Sequence, residues 1–210
     1  MFQKTCRLVV ALVVLFGGAL PVTATEIMRE AGEALDRAVY ETAEADGNRQ
    51  LEALRAAAEL AEQAVEQRPD AAEAWVLLAR ARGEIARRSG IMQNLGVAPR
   101  LKEYFEKALE LDSTNVDALT GYALWHLEIA EAGAGWLYGA DRAEVLPLLA
   151  EAVRLAPDRL NVRVEYAAAL LRLGQPEEAG RQLEAALALP ATSEAELAER
   201  ERALALLESL

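Results

Sequence analysis

Small and apolar residues recur at intervals of three and four along most of the chain, the pattern of helices that each bury one face. Glu26 to Ala45 places Ile27, Ala31, Ala34, Leu35, Ala38 and Ala45 at such intervals, and the turn-forming run Asp46-Gly47-Asn48 closes it. Gln50 to Gln67 predicts the helix that pairs with it. At the other end, Ser193 to Leu210 carries acids near its start and Leu197, Ala198, Leu204 and Leu207 at helical spacing. The first 24 residues break the pattern. Lys4 and Arg7 precede an uninterrupted apolar run from Leu8 to Leu20, and Pro21 leads into the small-residue sequence Val22-Thr23-Ala24. That run is shorter than the roughly 18 to 20 residues that cross a bilayer. Residues 1–24 therefore predict a secretory signal peptide cleaved after Ala24.

The helical segments also repeat. An alanine stands five residues before a proline or its substitute at Ala64 to Pro69, Ala108 to Ser113 and Ala152 to Pro157. Eleven residues after each alanine comes a helix-opening residue, Trp75, Leu119 or Arg163. A large-small pair follows each, at Leu78-Ala79, Tyr122-Ala123 and Tyr166-Ala167, and Ala186 completes the last unit. In these spacings the chain resembles the tetratricopeptide repeat (TPR) family. The clearest copy is Asn161 to Pro190, with Tyr166, Ala167, Leu170, Gly174, Ala179, Leu183 and Ala186 at the family's positions. Alanines at crossing points let two short helices approach closely, larger residues fill the gap, and Gly174 ends the first helix of the pair.

The resemblance implies an all-α, right-handed TPR-like solenoid of about four helix-turn-helix units. Residues 25–192 would form the repeat domain, with a degenerate first unit, and 193–210 a C-terminal capping helix. Successive alanines lie 44, 44 and 34 residues apart, so two middle units carry about ten extra residues each. Because the distance from alanine to next helix is constant, the additions fall between the first and second helices of their units. One is around Ser89 to Ala98, the other around Ala132 to Asp141.

Both insertions are apolar for loops. The first holds Ile91, Met92 and Leu95 before Ala98-Pro99, where proline suits a first helical turn. The second holds Trp136, Leu137 and Tyr138 among glycines and ends at Asp141, a candidate helix cap with Glu144 three residues on. Stacking would bring the two to one edge of the solenoid. There these six residues either line a groove or pocket for a peptide or apolar ligand, or pack on each other and extend the core. Arg80 and Arg87, with Arg82, Arg88, Arg100 and Lys102 nearby, offer an anion or acidic-peptide contact or else pair with Glu84 and Glu103. Some TPR domains grip a partner's terminal carboxylate with lysines and asparagines on the inner faces of their first helices. The matching positions here are Glu73, Val76, Arg80 and Asp117, Thr120, Leu124, so that clamp does not carry over. Trp75 takes the family's large core position, Trp125 and His126 lie on the equivalent helix of the next unit, and Pro147 requires a helix begun at Asp141 to kink or start later.

Composition narrows the function. Alanine accounts for 44 of 210 residues and aromatics for only 5%, so the core is built from small side chains. The formal net charge of -12 makes a nucleic-acid backbone or an anionic lipid surface a poor partner. Loss of the leader would remove Lys4 and Arg7 and no acid, deepening that charge by two, and would leave no stable membrane insertion. The single Cys, Cys6, lies in the leader, and the single His has no second His or Cys to share a metal with. No phosphate-binding loop or nucleophile-base spacing is present, so neither an enzyme nor a cofactor is expected. The resulting expectation is a periplasmic or secreted, non-enzymatic scaffold or adaptor that binds a protein partner in the cell envelope. The alternative is a subunit holding a small apolar molecule between the two insertions, as in exported repeat proteins associated with solute-binding transporters.

Overall fold

The computed structural model describes residues 23–41, 47–90 and 95–210. Residues 1–22 of the expected signal peptide and the candidates Ile91 and Met92 fall outside the described residues, as does the side chain of Leu95, whereas Thr23 and Ala24, at the expected cleavage site, cap and open α1. Ten helices make up the described fold: α1 Ala24–Asp36, α2 Gly47–Gln67, α3 Ala72–Arg88, α4 Ala98–Leu111, α5 Val116–Glu131, α6 Gly135–Tyr138, α7 Val145–Leu155, α8 Leu160–Arg172, α9 Pro176–Leu187 and α10 Glu194–Glu208. A π-helical turn, Arg37–Glu41, continues α1, and short 3-10 turns at Leu95–Val97 and Arg142–Glu144 precede α4 and α7. No strand occurs among the described residues, and no helix there is long and apolar enough to cross a membrane.

Helix boundaries follow local chemistry. Thr23 and Glu26 form a reciprocal capping box at the start of α1, and Ser193 and Glu196 do the same for α10. Asn115 Oδ1 accepts from the Ala118 N–H at 2.9 Å to open α5. Pro99 and Pro176 sit in first turns, where their missing N–H leaves no bond unmade. Pro147 is likewise in the first turn of α7, so the helix starts later instead of kinking. Gly174, with φ +75°, turns the chain after α8 in a left-handed conformation that favours glycine.

The helices pack as pairs, α1 with α2, α3 with α4, α5 with α7 and α8 with α9, while α10 lies against both α8 and α9. Ala64, Ala108, Ala152 and Ala186 are all completely buried at these crossings. With only a methyl at each crossing, the larger Leu54, Leu149, Leu170 and Leu183 fill the adjoining space and are themselves buried. The segments expected as insertions, around Ser89 to Ala98 and Ala132 to Asp141, fall where the chain passes from α3 to α4 and from α5 to α7.

Three expectations need correction. The first helix gives way to the π turn after Asp36, and Gly47 and Asn48 open α2 instead of forming the expected turn. Gln50 fixes this junction, its Nε2 donating to the carbonyl of Ala38 at 3.0 Å. Trp75 is only half-buried. Its ring stacks obliquely on Tyr104 and its indole N–H donates to the carbonyl of Pro69, a polar partner that holds it at the edge of the core. Arg87 and Arg88 pair with Glu84 as expected, but Arg80 reaches Asp36 of α1, Arg82 reaches Glu62 of α2 and Lys102 reaches Glu106.

The superhelix closes on itself. The π turn of the first unit touches α10, and the Tyr40 hydroxyl lies 3.4 Å from Glu199 Oε1 across 159 residues of sequence. First helices of successive units, α3, α5 and α8, face the space so enclosed.

Candidate functional site

That space is a half-open cavity of about 170 Å³. Helix α3 contributes Ala79, Arg80, Gly83, Glu84 and Arg87 to its wall, and α5 contributes Asp117, Thr120, Gly121, Leu124, Trp125 and Glu128. These recur at intervals of three and four, so one face of each helix points inward. Leu101 and Phe105 of α4 reach in from behind, Val39 and Tyr40 from the π turn, Asn161 and Glu165 from α8, and Glu199 from α10. The floor is apolar. Phe105 and Trp125 are buried in one cluster with Ala79 and Ala98, and Phe105 fits only because Gly121 has no side chain there. A Cβ at Gly121 would sit 2.4 Å from Phe105 Cε1.

The walls are charged and mostly self-paired. Arg159 makes two bonds to Asp117, at 2.7 and 3.1 Å. Burial pushes the Asp117 carboxyl up, but the bonds and charge of Arg159 outweigh it and hold the group below its ordinary value. Arg202 bridges Glu165 at 2.7 Å and Glu199 at 3.2 Å. Burial raises Glu199 above the usual carboxylate range although Arg202 pulls it down, and Tyr40 is pushed up to about 12 by burial and by the charge of Glu199. Glu128 also lies above its ordinary value through burial, opposed by the charges of Arg87 and Arg172. The Glu128 carboxylate has no hydrogen bond or ion pair among the described residues.

Two adjacent residues of α5 tie the insertions to this floor. The Trp125 indole N–H donates to the carbonyl of Ala98, where the first insertion ends, at 2.9 Å. The Asp141 N–H donates to His126 Nδ1, where the second ends, also at 2.9 Å. His126 is buried, and burial lowers its pKa. Its acceptor role places the ring proton on Nε2. No group of His, Cys, Asp and Glu that could hold a metal occurs among the described residues.

Of the residues singled out in the sequence, Arg80 and Arg87 line the cavity. Tyr138 packs beside Trp125 and Ala98. Trp136, 87% exposed, and Leu137, 57% exposed, project from the surface on α6 and do not border the cavity. Residues from six separate elements meet in it, and Glu128, Asn161, Glu165 and Glu199 were not anticipated. Only Glu128 had a signal, as a polar position in register with Asp117 and Thr120 on the otherwise apolar α5; Asn161, Glu165 and Glu199 lie on helices where charge is common.

A stack of paired helices whose first members surround a concave groove defines a TPR-type solenoid. Residues 24–210 match the family described as RMD1-3, Regulator of microtubule dynamics protein 1-3, and the chain belongs to that family. The crystal structure of TTC0263, a thermophilic TPR protein of Thermus thermophilus, aligns with a TM-score of 0.58 at 21% identity, over 89% of each chain, and so shares the fold. YrrB, a TPR protein with an unusual peptide-binding site, aligns with a TM-score of 0.44 at 21% identity over 89% of this chain and 84% of that one. MamA aligns at 0.43 and 16% identity, over 80% and 73%. No curated protein matches the sequence.

Proposed function

We propose that this chain is an exported, non-enzymatic scaffold that holds a segment of a partner protein in its concave groove. The observation that carries this reading is the groove itself, an apolar floor walled by polar side chains that rigid helices aim inward. Helices fixed by an alanine core change little on binding, so little of the contact free energy goes into ordering the receptor. The leader pattern of residues 1–24 supports export, and with it a partner in the cell envelope. Cleavage after Ala24 would also remove the Thr23 cap, leaving the first turn of α1 frayed in the mature protein. A small apolar molecule held between the two insertions finds less support, because Trp136 and Leu137 are exposed and do not line the groove.

Gly83 gives the test. It lines the groove, and a Cβ added there meets nothing within 4 Å. A photo-cross-linking phenylalanine analogue at Gly83, expressed in the native host, is expected to capture a protein that the same probe at exposed Glu59 of α2 does not. Equal capture at both sites, or none at Gly83, refutes groove binding. Mass spectrometry of the same material is expected to find a chain beginning at Thr25, and an intact leader overturns the export reading.

A further inference from the structure

We infer that the groove takes an extended peptide segment that carries a lysine or arginine, with the cation seated on Glu128 and the flanking residues on the apolar floor. This rests on the groove-binding reading above and names the chemistry of its occupant.

The balance of charge on the walls selects the cation. Among the described residues five carboxylates line the groove against two arginines. Arg80 is drawn to Asp36, Arg87 is held by Glu84, Asp117 by Arg159, and Glu165 and Glu199 share Arg202. Both arginines are therefore engaged and unready to receive an anion. Glu128 is the lining charge that these pairs leave over among the described residues. Its carboxylate faces a half-open cavity over Trp125 and Leu124, where little water competes, so an arriving guanidinium or ammonium gains a strong, charge-assisted partner. The raised pKa of the Glu128 carboxyl agrees with this, since burial outweighs the charges of Arg87 and Arg172, neither of which bonds to it, and leaves its charge only partly compensated.

A second group selects the peptide. Asn161 lines the groove and its side-chain amide has no partner among the described residues. A carboxamide offers a donor and an acceptor side by side, the complement of a backbone peptide group. Asn161 lies two residues beyond Arg159, whose bonds to Asp117 fix the start of α8 beside the start of α5. Glu128 is eleven residues further along α5 than Asp117, about 16 Å at 1.5 Å per residue. An extended segment of about five residues covers that distance. Between the two ends lie Gly121, Leu124, Phe105 and Trp125, so the residues flanking the cation are apolar.

The test pans phage-displayed random octapeptides on the full chain, with Glu128→Gln and Gly83→Phe proteins in parallel, each checked for native helicity by circular dichroism. Wild type is expected to select peptides with one Lys or Arg among apolar residues. A synthetic copy of a selected peptide is expected to bind Glu128→Gln about tenfold more weakly and to lose most of its salt dependence. Selected peptides that fail on Gly83→Phe but show no basic enrichment, or bind Glu128→Gln as tightly as wild type, overturn the assignment of the cation while leaving groove binding in place. Failure to select any peptide, or selection of peptides indifferent to Gly83→Phe, overturns both.

Discussion

Gly83 and Gly121 are both glycines inside helices facing the groove, yet replacing them with alanine is expected to have opposite effects. In each case the new methyl removes a flexible residue from a helix interior, which stabilises by about 1 kcal/mol. At Gly83 nothing else changes, because the methyl enters open space. At Gly121 it would lie 2.4 and 2.6 Å from Phe105 Cε1 and Cζ, where carbon atoms normally approach to about 3.5 Å. The ring must retreat by about 1 Å to restore that spacing, but Phe105 is buried among Ala79, Ala98 and Trp125 and rests against Tyr122. Overpacking of this kind costs about 1 to 3 kcal/mol. The helix contribution cancels between the two variants, so their difference in unfolding free energy isolates the packing cost at about 1 to 3 kcal/mol. Urea unfolding followed by far-ultraviolet circular dichroism measures it. In a Phe105→Leu background Gly121→Ala is expected to become stabilising, as Gly83→Ala is. If the two single variants prove equally stable in the wild-type background, Phe105 does not pack against Gly121 as closely as this.

Two further outcomes are expected. His126 has its pKa lowered by burial, so the unfolded chain takes up the proton more readily; the stability it contributes is present above a pH of about 6.5 and lost as pH falls below that toward the lowered folded value. Thermal unfolding of wild type and His126→Gln between about pH 5 and 8, the range in which histidine titrates, checks this, and an equal acid sensitivity in the variant refutes it. Trp136→Ser is expected to change stability by no more than about 0.5 kcal/mol because the ring is 87% exposed; a large drop in melting temperature would show that the ring packs after all.

Periodicity made the architecture legible because the physical constraint is local and recurrent. Ala64, Ala108, Ala152 and Ala186 must be small wherever two helices cross, and the same requirement reappears in every unit. The groove obeys no such rule. Arg80, Glu128, Asn161 and Glu199 are brought together by the curvature of the stack, and no spacing between them in sequence announces it. Aromatic content did not distinguish the three residues of the second insertion. Three residues of similar apolarity diverge there, Tyr138 packing inward and Trp136 and Leu137 outward, because a helix of a single turn cannot bury every side it presents. Trp125, placed in the sequence only on the equivalent helix of its unit, became the floor.

Contact between Tyr40 and Glu199 changes what kind of object the solenoid is. An open array of repeats has two free boundaries, its stability is close to a sum over neighbours, and its ends unzip independently. Joining the ends turns the line into a loop, and the loop imposes a boundary condition that every repeat shares. Pitch and curvature then bear on the termini as well, because the two ends meet only at the curvature the stack adopts. The width of the groove is thus a property of the loop as a whole, held by no single repeat.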